Sequence, residues 1–248
     1  MASSLQICNI LFFLLSLGAT FLDRRIGKSN AEVSDTYRTI VTPPGWAFAI
    51  WGVIFFLELL FCIWQLFIDD QNDLVFVEVG YWFVTACIFQ TLWSFAFAKE
   101  YLATAAILLG AIAVCLFTLC MRISSETTRS LAEEILVHIA FGLHGGWTFV
   151  AALLNVNVVG VARNASPRFQ LAVAVLTLCL VLTASALFTF EWKNVAYSLA
   201  LAWAMFGVSK NQGQTEYLLG SGTASVLANV CLALAGFLVA LGLVSIVY

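Results

Sequence analysis

Apolar residues run along the chain in long unbroken stretches, and polar residues gather in the gaps between them. Eight stretches stand out: Leu5 to Leu22, Trp46 to Phe67, Gly80 to Ala98, Leu102 to Met121, Ile135 to Val159, Phe169 to Phe190, Asn194 to Val208 and Thr223 to Val247. A helix needs about 20 apolar residues to cross a hydrocarbon core of about 30 Å, and most of these stretches approach that length. The seventh is the shortest. No segment alternates polar and apolar positions as a membrane barrel would. The hydrophilic gaps, such as Asp69 to Asp73 and Ser124 to Arg129, are too short for a soluble domain. The pattern predicts an all-α, multi-span transmembrane helix bundle forming a single membrane domain over residues 1–248.

Composition sharpens this reading. Hydrophobic residues fill 62% of 248 positions and charged residues only 10%, against roughly a quarter charged in a soluble domain. The mean hydropathy is +0.98. Net charge is -3, and the 11 Lys and Arg form no basic stripe, so nucleic acid is not an expected partner. Their placement predicts orientation. Arg24, Arg25, Lys28, Arg38, Lys99, Arg163, Arg168 and Lys210 fall in the loops after the odd-numbered spans; Arg122, Arg129 and Lys193 fall in the others. By the positive-inside rule the odd-numbered loops are expected in the cytoplasm and both termini on the opposite side. The first stretch has its charges after it rather than before it, which predicts an uncleaved span rather than a signal peptide. The seven cysteines all lie in apolar stretches without metal-ligand spacing and read as packing residues.

A few polar side chains interrupt the apolar runs. Glu58 sits near the middle of the second span, where an unpartnered carboxylate costs roughly 2.5 to 3.5 kcal/mol. Phe48, Trp51, Phe55 and Glu58 recur at helical spacing, so one face carries aromatic surface that ends in an acid. That face reads equally as a ligand groove or as a helix contact. The fifth span carries His138, His144, Asn155 and Asn157, and His144, Trp147, Ala151 and Asn155 share a face. Gly142, Gly145 and Gly146 leave room beside it for a close helix or a flat ligand. His144 reads either as a hydrogen-bond donor to a carboxylate or as an axial ligand to haem iron. His138 is turned away from that face and is not paired with it as a metal ligand. In the third span Gln90, Trp93, Ser94 and Phe97 form a comparable face. No nucleophile with a positioned base, no HExxH and no phosphate loop is present, so no catalytic residue is assigned. No internal repeat relates the two halves of the chain.

Tyr37, Pro43, Pro44, Gly45, Trp46, Phe48, Trp51, Gly52 and Phe55 together resemble the first-loop and second-helix signature of the TspO/MBR family, the tryptophan-rich sensory or translocator proteins. Gln90 to Phe97 resembles that family's third-helix pattern, and Trp147 to Asn155 its fifth-helix pattern, in the family's order. The resemblance covers roughly residues 5–160. It implies a five-helix core with residues 169–248 as about three additional spans, as in a longer branch of the family. It also implies a pocket beneath the first loop for flat hydrophobic ligands, chiefly porphyrins and in some members sterols. The positions matching the family's pocket tryptophans, linked there to light-dependent porphyrin breakdown, are Trp51 and Trp147. Departures are Gln90 in place of Asn, Leu143 and His144 in place of Pro and Tyr, and a second-helix segment one residue shorter between Pro44 and Trp51.

The expected site therefore comprises Trp51, Trp147, Phe48, Phe55, Glu58, Gln90, Trp93, His144 and Asn155. Aromatic faces would supply stacking and the polar groups would orient ligand edges. The expected ligand is a tetrapyrrole, protoporphyrin or haem, or a sterol-like lipid; the expected partners are the bilayer, that ligand and a second copy in a homodimer. Two alternatives come from other classes: a proton-coupled transporter or channel using Glu58 and the histidines, and a structural subunit contacting partner helices through Gly142, Gly145 and Gly146.

Overall fold

The computed structural model describes residues 3–69, 72–125 and 130–247. Asp70, Gln71 and Glu126 to Arg129, in the two hydrophilic gaps, lie outside the described residues. The chain is helical, with no strand among the described residues. Among the described residues, seven helices are long and apolar enough to cross a membrane: α1 (Ser4–Phe21), α2 (Gly45–Phe67), α3 (Leu74–Ala98), α4 (Leu102–Ile123), α5 (Leu131–Ala162), α6 (Pro167–Phe190) and α8 (Ser221–Leu243). Between the last two lies α7 (Val195–Ser209), with 15 residues. At 1.5 Å per residue it spans about 22 Å, shorter than the hydrocarbon core.

Local chemistry sets the helix ends. Ser3 with Gln6, and Ser130 with Glu133, form reciprocal capping boxes at the starts of α1 and α5, and Ser166 caps α6 ahead of Pro167. Pro43 and Pro44 hold the chain extended before the tight first turn of α2. In α3 a wide turn at Leu74–Val79 joins the regular helix through Gly80 at φ +45°, a conformation that favours glycine.

The first five helices close a ring in the order α1, α2, α5, α4, α3, each packed on its two neighbours. The remaining three form a second layer on the outer face of α5, with α7 packed against α5, α6 and α8. This position explains the composition of α7: alanines, Gly207 and buried Tyr197 and Met205 permit close approach on several sides. Leu11, Leu15, Ile107, Val114 and Leu176 are exposed on the outer faces, the surface expected against lipid.

The glycines of α5 fix the second layer. A methyl group on Gly146 would lie 2.3 Å from the Tyr197 carbonyl oxygen, and one on Gly142 would lie 2.3 Å from Asn194 Oδ1. The space these glycines leave is filled by α7, not by a flat ligand, because only a backbone without Cβ lets α7 approach this closely.

Candidate functional site

The ring encloses a cavity beneath the α1–α2 loop, lined by Phe48 and Trp51 of α2, Trp93 and Phe97 of α3, and Trp147, Ala151, Leu154, Asn155 and Val158 of α5. Asn30, Ser34, Thr42 and Pro43 of the loop form its roof. Its walls are rings set against one another. Trp147 meets Phe48 edge-on at 5.8 Å between centroids and Trp51 at 6.4 Å, and Trp93 stacks on Phe97 at 5.3 Å. The void between them is only about 40 Å³, whereas ligand pockets run to about 300 Å³ or more. The void is far smaller than a planar macrocycle, so occupation by such a ligand requires its walls or roof to move.

Polar side chains reach this lining from the roof, through Asn30, Ser34 and Thr42, and from Asn155 on α5. Asn155 donates to the Ala151 carbonyl at 3.2 Å, but its Oδ1 and the indole N–H groups of Trp93 and Trp147 have no hydrogen-bond partner among the described residues. These two donors and one acceptor belong to residues of the lining but are themselves covered. No His, Cys, Met, Tyr or Lys lines it, so it contains no ligand for a haem iron. No cluster of three metal-ligating side chains exists among the described residues.

The other expected residues lie around this chamber rather than on it. Phe55 stacks beneath Trp51 at 5.2 Å and an interplanar angle of 19°, and its far side meets Phe13. One turn further along α2, Glu58 Oε1 lies 2.6 Å from His144 Nδ1, with the two side chains only 1% and 3% exposed. The His144 ring also abuts the edge of Trp51 at 5.5 Å. Of the two readings of His144, the geometry is that of the carboxylate partner. Gln90 is buried, its amide atoms have no hydrogen-bond partner among the described residues, and it is not among the residues lining the cavity.

The roof is held from two sides. On one side Lys28 donates to Glu100 at 2.9 Å, its backbone N–H bonds the Ala98 carbonyl, and Tyr37 hydrogen-bonds the same carboxylate. The hydrogen bond from Lys28 holds the Glu100 carboxyl below the usual range, while bonding to Glu100 raises both Lys28 and Tyr37. On the other side the second layer supplies donors to carbonyls of the loop and of the first turn of α2: Trp203 Nε1 to Ala47 at 2.9 Å, Asn211 Nδ2 to Thr42 at 3.0 Å and Thr215 Oγ1 to Ile40 at 3.4 Å. Gly207 lies against Pro43, and Trp46 packs edge-on against Trp203. None of these three donors was singled out in the sequence. Their partners are backbone carbonyls more than 150 positions away, for which no local pattern exists.

The model of the family described as TSPO-like protein matches residues 6–244, nearly the whole chain including the second layer. Comparison with curated proteins and with solved structures gives no match.

Proposed function

The chain belongs to the TSPO-like protein family and is a multi-pass integral membrane protein, and from that premise we propose that it binds a planar hydrophobic molecule in the chamber beneath the α1–α2 loop. The observation that carries this reading is the chamber's construction: five aromatic side chains from three helices, on a lining whose Trp93 and Trp147 indole N–H groups and Asn155 amide oxygen have no hydrogen-bond partner among the described residues. Stacking and edge contacts suit a flat conjugated ring, and the unpaired groups suit polar substituents on its rim.

Among tetrapyrroles, the absence of an iron ligand from the lining favours a metal-free macrocycle such as protoporphyrin over haem; a sterol would use the same apolar walls but leave more of the polar groups unmatched. The void of about 40 Å³ means that binding is coupled to movement of the roof, which suits uptake and release in transport, buffering or stress signalling. We assign the roof to the cytoplasmic side from the placement of Lys and Arg.

Intrinsic tryptophan fluorescence of the purified protein, titrated with protoporphyrin, haem and a sterol, tests the assignment against a Trp51→Phe, Trp147→Phe variant. Saturable quenching by protoporphyrin that weakens in the variant is expected. Equal, non-saturating quenching of both proteins by all three ligands would remove the chamber from consideration, and proton-coupled flux in vesicles would be measured next.

A further inference from the structure

The last span, α8, buries Ala224, Leu227, Cys231, Ala235 and Leu238 on the side that packs against α7 and α6. On its opposite side Gly222, Ser225, Asn229, Ala233, Gly236 and Ala240 follow one another at steps of three and four residues, and all six are exposed. Larger apolar side chains flank this stripe, Val226, Val230 and Phe237 along one edge and Leu232 and Val239 along the other.

Two residues of the stripe find no reason inside the protein. Asn229 is the ninth of 23 residues in α8, about 12 Å along a helix of about 35 Å, and is therefore level with the hydrocarbon. Its amide makes no hydrogen bond among the described residues, and lipid tails offer none, so the exposed group is costly where it stands until a polar partner reaches it. Gly236, in the middle of the helix, is equally unused by the fold. A methyl group there would meet nothing within 4 Å, whereas one on Gly142 or Gly146 would run into the start of α7. Glycine weakens a helix relative to alanine. In α5 that loss is offset by the close approach of α7; along the outer side of α8 no segment of the chain approaches Gly236.

We propose that α8 pairs with α8 of a second copy of this chain, in the same orientation, about a two-fold axis along the membrane normal. An amide carries both a donor and an acceptor, so the two Asn229 side chains satisfy one another reciprocally. Two copies inserted the same way bring this amide to the same depth, which a foreign helix matches only with a polar group of its own at that level. Ala233, Gly236 and Ala240 let the two backbones approach, and Val230, Leu232 and Phe237 close over the seam. The contact lies on the second layer, away from the ring, and does not depend on which ligand the aromatic chamber takes.

The test uses the full chain, labelled in separate batches with a donor and an acceptor fluorophore and reconstituted together in phosphatidylcholine vesicles at decreasing protein-to-lipid ratios. Energy transfer above the level of random proximity, falling as the protein is diluted in lipid, is expected for the native chain. Asn229→Leu removes the reciprocal bonds without touching an internal contact and weakens association about tenfold. Gly236→Ile holds the backbones apart and reduces transfer to the random level. Gly110→Ile, at an open position on α4, leaves transfer unchanged. Random-level transfer by the native chain, which is the result for a face that meets only lipid or a different protein, would overturn the proposal. Native transfer by the Asn229→Leu chain or by a folded Gly236→Ile chain would do the same, as would an equal loss in Gly110→Ile.

Discussion

Removing either member of the buried Glu58–His144 pair should cost far more than removing both. The two atoms lie 2.6 Å apart on side chains only 1% and 3% exposed, so neither group can turn to water when its partner is deleted. Stranding one member of a buried pair typically costs about 3 to 5 kcal/mol, whereas replacing both with apolar residues is often neutral. Hydrogen bonds between membrane helices show smaller couplings, about 0.6 and at most about 1.7 kcal/mol, because the denatured chain in a membrane also finds partners. The enclosure of this pair on both members places it toward the upper range. We therefore expect Glu58→Leu and His144→Leu each to destabilise by about 3 kcal/mol, and the double variant by no more than about 1 kcal/mol. Reversible unfolding in mixed micelles, followed by tryptophan fluorescence at one fixed pH, measures all four corners of the cycle. Additive effects within about 0.5 kcal/mol would refute the reasoning, since independent sites behave that way.

Three further outcomes follow from the packing and the roof. Gly146→Val places new atoms on the Tyr197 carbonyl and should separate α7 from α5, at a cost of about 3 kcal/mol or more read by thermal unfolding. Trp203→Phe keeps the ring but loses the bond to the Ala47 carbonyl; about 1 kcal/mol of local stability should disappear, seen as faster amide hydrogen exchange in Ile40 to Ala47. The roof's other tether depends on pH at both extremes. Glu100 is lowered from 4.5, so its contribution is full above that value and is lost as pH falls through the lowered value; Lys28 is raised from 10.5 and Tyr37 from 10.0, so theirs are full below those values and lost as pH rises through the raised ones. Hydrogen exchange of the tethered Lys28 amide, corrected for intrinsic rates, should show constant protection between those limits; a step near neutral pH would contradict this account.

The helices were legible because a bilayer imposes one length and one composition on every span. Asn194 to Val208 was expected and Val195–Ser209 is found, even though that helix is too short to look convincing alone. The third span was expected from Gly80, but it begins at Leu74, because Glu78 and Gly80 interrupt the apolar signal where a wide turn continues the helix. Helical spacing put Phe48 on one face with Trp51, and Trp147 on one face with Asn155, without deciding between a ligand groove and a helix contact; these four line the chamber, whereas Phe55, Glu58 and His144 of the same faces do not. Tertiary partnership was not legible. Glu58 and His144 were each conspicuous as buried polar groups, yet 86 positions separate them and nothing in either helix names the other. Gly142, Gly145 and Gly146 of α5 advertised a close approach without saying what approaches. The closure of the chamber depends on rotamers that no sequence pattern encodes.

The grip of the second layer on the loop has a practical meaning for anyone who would take this molecule apart. A chain cut after Ala162 would keep every wall of the chamber and still lose its hinge-pin: the carbonyls of Ile40, Thr42 and Ala47 would give up their donors, and the notched back of α5 would be bare to lipid. No seam for protein engineering therefore runs between the ring and the helices behind it, and a chimaera that borrows the pocket must carry along the far end of the sequence.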